Sequence, residues 1–127
     1  MERVQGVGGI FFKSKNPKKL GAWYRKHLGF ELAFETGAAF RSRGAGETTA
    51  WGLFEQKTTY FAPSKAPFMV NYRVANLDRM LAQLRRAKAK IDQRIEESEF
   101  GRFGWASDPE GNRFELWQPP PKRRAKK

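Results

Sequence analysis

Apolar and polar positions follow two periods along this chain, and this pair of patterns occurs twice. Around residues 10–14 and 70–74, apolar residues fall at every second position, which predicts half-buried β-strands. Each strand runs into an asparagine, Asn16 or Asn76, which is a favoured N-cap because its side chain accepts a hydrogen bond from a first-turn N–H. Apolar residues at helical spacing follow each asparagine, so the sequence predicts two strand–helix units.

A gapless offset of 60 residues relates the two units. The segment "IFFKSKNPKKLGAWY" at 10–24 lies over "VNYRVANLDRMLAQL" at 70–84. The same offset pairs Phe54–Glu55 with Phe114–Glu115, where the last strand of each unit is predicted. The chain is therefore interpreted as a duplicated module and not as a solenoid, because two copies cannot form an array.

Two further short strands fit between the helix and the last strand of each unit. They are predicted at about residues 30–35 and 38–43, and again at about 91–96 and 102–107. The unit is then a strand, a helix and three strands, used twice. This arrangement predicts an α+β fold of two tandem βαβββ modules, at about 5–60 and 65–118, within one domain over residues 1–118.

One face of the predicted sheet carries aromatic and charged residues together. Period two places on this face Gly9, Phe11, Lys13, Met69, Asn71, Arg73, Arg113, Glu115 and Trp117. The alternate positions, among them Ile10 and Leu116, are predicted to pack under the helices. A ligand-lined concavity explains the mixed face, and a solvated sheet face is the alternative. With three further aromatic residues as flat walls, the predicted ligand-binding set is Phe11, Lys13, Trp51, Met69, Asn71, Arg73, Phe103, Trp105, Arg113, Glu115 and Trp117.

The composition excludes several classes of active site. The 127 residues contain no cysteine, which excludes disulfides, thiolate metal sites and cysteine nucleophiles. The single histidine, His27, lies on the apolar stripe of the first predicted helix, so no Ser-His-Asp arrangement is expected. No apolar run approaches the ~20 residues of a membrane span, and the N-terminal residues lack the order of a signal peptide. We expect a cytoplasmic protein without a membrane span.

The formal net charge is +12, and part of it lies in a short C-terminal run. Five of these charges lie in the last six residues, behind the run Pro119–Pro121. Residues 119–127 are therefore predicted to form a disordered basic tail on a proline spacer. We expect the tail to aid solubility, and a weak contact with nucleic acid or an anionic surface is the alternative.

Two segments resemble a known superfamily. These are "NPKKLGAWYRKHLGFE" after the first strand and "DPEGNRFELWQP" at the end of the second module. With the duplicated module, they make about residues 5–118 similar to the glyoxalase/bleomycin-resistance/extradiol-dioxygenase superfamily, also called vicinal oxygen chelate proteins. The resemblance implies paired βαβββ modules whose mixed sheet curls around a cavity, with the helices on the outside, and in many members a homodimer. It also implies a divalent metal held by His or Gln from the first strand, and Glu from the last strand, of each module.

The metal ligands implied by the resemblance are mostly missing here. The matching positions are Gly9, Met69, Glu115 and, on the gapless offset, Glu55, which a short gap would replace by Gly52 or Leu53. Gly9 has no side chain, and the thioether of Met69 is a soft, weak ligand. Because a catalytic Zn or Fe(II) site uses three or more protein ligands, we predict that the metal centre is lost and that no cofactor is bound. A divalent metal held by the two carboxylates and water is the alternative.

The role of Glu115 is the central question that the sequence raises. Arg113 lies on the same predicted face, and Lys13 and Arg73 occupy equivalent positions on the two first strands. A carboxylate among three cations would stay ionised and orient them. Charge balance is therefore the leading interpretation, followed by contact with a ligand and then by catalysis, for which Glu115 is the candidate.

Three functions are compatible with these patterns, and whether the protein is an enzyme stays open. The leading hypothesis is a metal-free member of the superfamily that binds a small anionic or aromatic molecule, because cations and flat rings share the cavity face. The alternative is a divergent metal-dependent lyase, isomerase or dioxygenase of the same superfamily. The third hypothesis is a nucleic-acid-associated protein that uses its basic surface and tail.

Overall fold

Nine strands and two helices form the part of the chain that the computed structural model describes, residues 1–41 and 47–121. In chain order they are β1 (Val4–Ser14), α1 (Pro17–Leu28), β2 (Leu32–Phe34), β3 (Gly37–Arg41), β4 (Thr48–Glu55), β5 (Phe68–Val74), α2 (Leu77–Arg86), β6 (Lys90–Ile91), β7 (Glu96–Ser98), β8 (Gly101–Ser107) and β9 (Arg113–Gln118). The charged residues of the basic tail, at 122–127, lie outside the described residues, as do the last two residues of the predicted strand at 38–43.

All nine strands join one curled mixed sheet in the order β2-β3-β4-β1-β5-β9-β8-β6, and β7 also pairs with β8. In each half the first strand pairs in parallel with the last strand, β1 with β4 and β5 with β9. The antiparallel pair β1–β5 joins the halves at the centre. The predicted α+β fold with two βαβββ modules is confirmed. The region predicted as one strand at 91–96 instead forms the two short strands β6 and β7.

Both helices begin at the predicted asparagine caps. The side chain of Asn16 accepts a hydrogen bond from the backbone N–H of Lys19 at 3.1 Å, and Asn76 does the same for Arg79 at 3.0 Å. The helix α1 stops at Gly29, whose φ of 69° is the left-handed conformation that glycine adopts without steric cost. Neither helix of the described chain has the length and apolarity needed to cross a bilayer.

Two apolar clusters attach the helices to the sheet. Under α2 the cluster consists of Val74, Leu77, Met80, Leu81 and Leu116, and under α1 it consists of Ala38, Trp51 and Leu53, with Leu20 and Tyr24 packed against it. Leu116 packs as predicted. Ile10, which was also predicted to pack under a helix, remains 45% exposed on β1. The helix α1 contacts β4 and β1, and α2 contacts β6, β8 and β9. On β1, the cluster under α1 takes in Phe12 but does not extend to Ile10.

Strand register corrects the correspondence between the two modules. Ile10 lies opposite Trp51 in β1–β4, and its counterpart Val70 lies opposite Phe114 in β5–β9. The offset therefore grows from 60 residues at the first strands to 63 at the last strands. The pairing of Glu55 with Glu115 was wrong, because the second module is three residues longer between these strands. Gly52 is the counterpart of Glu115.

Candidate ligand-binding cavity

The concave face of the sheet opens into a cavity of about 1320 Å³. Phe11 of β1, Asn71 of β5, and Glu115 and Trp117 of β9 line it, as period two predicts for residues on one face. A volume of this size accommodates a drug-sized molecule. The cavity is therefore the candidate site to which the sheet brings side chains from both modules.

Aromatic rings form the walls of the cavity in fixed orientations. Phe103 stacks on Trp117 with the ring centroids 6.0 Å apart and the planes 3° apart. The Nε1–H of Trp117 donates a hydrogen bond to the carbonyl oxygen of Phe100 at 2.7 Å, which holds the indole in place. On the other wall Phe11 contacts Phe54 edge to face, with centroids 5.8 Å apart. Flat apolar molecules match such walls.

Glu115 lies at the floor of the cavity and is held by three neutral donors. It is only 3% exposed. Its Oε1 accepts a hydrogen bond from Nδ2 of Asn71 at 2.6 Å, and its Oε2 accepts from Nε1 of Trp105 at 2.9 Å and from the hydroxyl of Tyr60. None of the ion pairs between described residues involves Glu115. Hydrogen bonds, and not a neighbouring cation, therefore compensate the burial of this carboxylate.

Strand register explains two of the three donors. Asn71 is the partner of Glu115 across the parallel pair β5–β9, and Trp105 is its partner across the antiparallel pair β8–β9. Side chains directly opposite each other on neighbouring strands share a face, so both reach the carboxylate. Tyr60 comes instead from the connection between the modules, where its ring stacks on Phe54 at 5.2 Å between centroids.

Burial and the Glu115 carboxylate both raise the pKa of Tyr60 well above its ordinary value. Burial is the larger cause, because a phenolate would lose its hydration there. The negative charge of Glu115 and its hydrogen bond to the hydroxyl add to the effect. Tyr60 therefore stays protonated at neutral pH and acts as a donor to Glu115.

Arg73 does not balance Glu115, although the sequence predicted that it would. Its guanidinium pairs with the carboxylate of Glu47 at 2.9 Å. It also donates to the carbonyl oxygens of Val7 and Thr48, at 2.9 and 2.8 Å. The side chain is long enough to reach the start of β4, where Glu47 precedes Thr48.

The other two predicted cations also turn away from Glu115. Arg113 donates to a carboxylate oxygen of Asp92 at 3.2 Å. Lys13 places its Nζ 5.6 Å from the centroid of the Phe61 ring. The interpretation of Glu115 as a charge balanced by three cations was therefore wrong, because closer carboxylates and aromatic faces attract these side chains.

The charge of the cavity also differs from the expectation of more cations than carboxylates. The charged residues that line it in the described chain are Lys18, Lys57, Glu35, Glu55, Glu99 and Glu115. Carboxylates thus outnumber cations around the cavity. The net charge of the whole chain does not predict the local charge, because most of the lysines and arginines lie elsewhere.

The structure brings about half of the predicted ligand-binding residues to the cavity. Those whose atoms line it are Phe11, Trp51, Asn71, Phe103, Glu115 and Trp117, with the Trp51 ring itself packed under α1, and those that do not are Lys13, Met69, Arg73, Trp105 and Arg113. Met69 and Trp105 are fully buried beneath it, packed with Phe61. Tyr60 is not predicted from the sequence, because no periodic pattern runs through the connection that contains it.

The four positions that correspond to metal ligands in the superfamily do not fit a divalent metal. They are Gly9, Gly52, Met69 and Glu115, which together supply one carboxylate and one buried thioether. A Cβ added at Gly9 would lie 2.9 Å from the Phe11 ring, and one at Gly52 would lie 3.0 Å from it. The ring therefore fills the space above both glycines. Across residues 1–41 and 47–121, no three His, Cys, Asp or Glu side chains form a metal-binding group.

Comparison with known proteins supports the same fold. The sequence profile of the family described as "Glyoxalase-like domain" matches residues 9–117. A search of curated proteins finds no sequence match. A Streptomyces coelicolor methylmalonyl-CoA epimerase variant in complex with 2-nitronate-propionyl-CoA has a TM-score of 0.71 and 15% identity, covering 94% of this chain and 100% of the other.

Two further solved structures share the fold. Methylmalonyl-CoA epimerase from Mycobacterium tuberculosis has a TM-score of 0.65 and 18% identity, and the match covers 93% of this chain and 90% of the other. A glyoxalase/bleomycin resistance protein/dioxygenase superfamily member from Vibrio splendidus 12B01 has a TM-score of 0.59 and 13% identity, with 94% and 100% covered. At these identities the likeness establishes the fold alone.

Proposed function

The chain belongs to the glyoxalase-like domain family, and we propose that it binds a planar aromatic molecule in its cavity without using a metal. The observation that carries the proposal is the position of the Phe11 ring. It lies against Gly9 and Gly52, where metal-dependent members of the superfamily place ligands, and contributes an aromatic wall to the cavity. The two glycines thus supply no metal ligand, and the Phe11 ring beside them adds apolar surface for a flat ligand.

The acidic lining favours an aromatic ligand over an anionic one. An anion in this cavity would approach the carboxylates of Glu35, Glu55, Glu99 and Glu115, with Lys18 and Lys57 as the lining cations. The buried Arg73 and Arg113, on which the anionic expectation depended, are held by Glu47 and Asp92. A neutral planar molecule between the aromatic walls avoids this repulsion.

We expect planar aromatic fragments, with a single ring or with two or three fused rings, to bind beside Trp117. The four tryptophans give separate indole N–H signals in a ¹⁵N-correlated NMR spectrum, so the site can be located directly. Bound fragments should shift the signal of Trp117 and leave that of Trp23, which is half exposed on α1 and outside the cavity, unchanged.

A matched pair of variants tests the same proposal. Trp117→Ala should weaken fragment binding about tenfold, which corresponds to the loss of one aromatic contact of roughly 1.4 kcal/mol. Trp23→Ala is the control and should leave the affinity unchanged. If no aromatic fragment binds, or if binding fragments shift Trp23 and not Trp117, the proposed function is wrong.

We also expect the protein to hold far less than one metal ion per chain. The measurement is mass spectrometry of untagged protein after incubation with Zn, Mn, Ni and Fe(II), followed by thermal unfolding with and without a chelator. The unfolding temperature should not depend on the chelator, because one carboxylate and a buried thioether bind such ions weakly. One metal ion per chain, lost in Glu115→Gln, would instead support the alternative of a metal-dependent lyase, isomerase or dioxygenase.

A further inference from the structure

The hydrogen bonds of Glu115 leave one acceptor position open at the floor of the cavity. A carboxylate offers about four lone-pair positions, two on each oxygen. The Oε2 atom accepts from Trp105 and Tyr60, whereas Oε1 accepts from Asn71. Among the described residues, Oε1 therefore retains an unused lone pair on an oxygen that the protein has fixed in place.

A second unused acceptor lies beside the first. The Oδ1 atom of Asn71 is buried and has no hydrogen-bond partner in the part of the chain described. Asn71 is 2% exposed and lines the cavity. A Cβ added at Gly8, which also lines the cavity, would crowd this oxygen, so the glycine leaves space beside the acceptor. Buried acceptors without partners cost free energy, which a donor from a ligand would recover.

We propose that the ligand carries an O–H or N–H donor on its aromatic ring and that the Glu115–Asn71 pair binds this donor. This inference rests on the proposed function, since it assumes a planar ring between Phe11 and Trp117. Both open positions are oxygens, and the buried carboxylate has no ion-pair partner among the described residues. Phenols, indoles and aromatic amines meet these requirements, whereas aromatic ethers and carboxylates do not.

Four compounds with one ring system test the inference by isothermal titration calorimetry: naphthalene, 2-naphthol, 2-methoxynaphthalene and 2-naphthoate. A hydrogen bond to a charged group corresponds to about a 10- to 100-fold change in affinity. We expect 2-naphthol to bind more tightly than 2-methoxynaphthalene by this factor. We expect 2-naphthoate to bind most weakly, because its charge repels the Glu115 carboxylate.

The Glu115→Gln variant tests the same preference from the side of the protein. It keeps the shape of the side chain but replaces one acceptor oxygen by a donor NH₂ group. The ratio of the 2-naphthol and 2-methoxynaphthalene affinities should fall close to one. Glu110→Gln, an exposed change in the turn before β9, is the control and should keep the wild-type ratio.

The outcomes separate this inference from the proposed function. Binding of all four compounds with equal affinity would overturn the inference and leave aromatic binding intact. Tightest binding of 2-naphthoate would overturn it in favour of an anionic ligand. Failure of all four compounds to bind, together with no hit among the aromatic fragments, would overturn both. The comparison of the four compounds uses the wild-type protein, so it tests the inference even if Glu115→Gln folds poorly.

Discussion

Replacing Trp105 by alanine is expected to lower the free energy of unfolding by about 3–5 kcal/mol, the usual cost of truncating a large buried aromatic residue. Trp105 is fully buried and packs with Phe61 and Met69 beneath the cavity. Its Nε1–H also donates to Glu115 at 2.9 Å. The change therefore removes apolar contacts and one of the three donors that stabilise a buried carboxylate, so both losses act in the same direction.

Urea unfolding followed by circular dichroism measures this cost, and a second tryptophan provides the control. Trp23 is 50% exposed on α1, so Trp23→Ala should cost about 1 kcal/mol or less. Trp105→Phe separates the two contributions, because it keeps most of the ring volume and removes the N–H donor. It should cost about 1–3 kcal/mol. Equal destabilisation by Trp105→Ala and Trp23→Ala would contradict the burial of Trp105 beneath the cavity.

The elements of the fold could be predicted because each depends on local chemistry. Asn16 and Asn76 cap their helices through bonds to backbone atoms three residues away, which sequence spacing alone specifies. Gly29 ends α1 because its left-handed φ of 69° is available to glycine at little cost. Period two likewise assigned Phe11, Glu115 and Trp117 to one face, since the pleat determines it.

The partners of the charged residues could not be predicted in the same way. A face assignment places the Cβ of Arg73 but not its guanidinium, which lies several bonds away and reaches Glu47. Glu47 is distant in sequence and belongs to neither first strand. A long flexible side chain can pair with any carboxylate within its reach. The closeness of Arg113 to Glu115 in the sequence therefore did not predict that the two would form an ion pair.

The composition of the site depends on register and on one irregular segment. Gly52 corresponds to Glu115 because the second module is three residues longer than the first. A gapless alignment that starts from the first strands does not reveal this difference in length. Tyr60 reaches Glu115 from a connection whose path has no periodic signal. The sequence thus identified the carboxylate, whereas the tertiary structure determined which donors surround it.

Replacing Tyr60 by phenylalanine is expected to lower the free energy of unfolding by about 1.5–3 kcal/mol at neutral pH, because it removes a hydrogen bond to a charged group. The ring and its stacking on Phe54 are retained, so the loss comes from the hydroxyl that donates to Glu115. Tyr24, whose ring packs against Trp51 in the first module, provides the control. Tyr24→Phe should have a smaller effect.

The difference in stability between the wild type and Tyr60→Phe should also depend on pH in one direction. Burial and the Glu115 charge raise the pKa of Tyr60 above its ordinary 10.0 in the folded protein, whereas the unfolded tyrosine ionises near that value. Above pH 10 the unfolded state therefore binds fewer protons than the folded state, and the contribution of Tyr60 declines as the pH rises. Urea unfolding between pH 7 and about 11 should give a constant difference up to about pH 9 and a narrowing difference beyond it.

A difference that stays constant through this range, or one that Tyr24→Phe reproduces, would show that the hydroxyl of Tyr60 does not donate to a buried carboxylate. A narrowing specific to Tyr60 would instead support a buried hydroxyl hydrogen-bonded to Glu115, the side chain to which we assign the donor of the ligand.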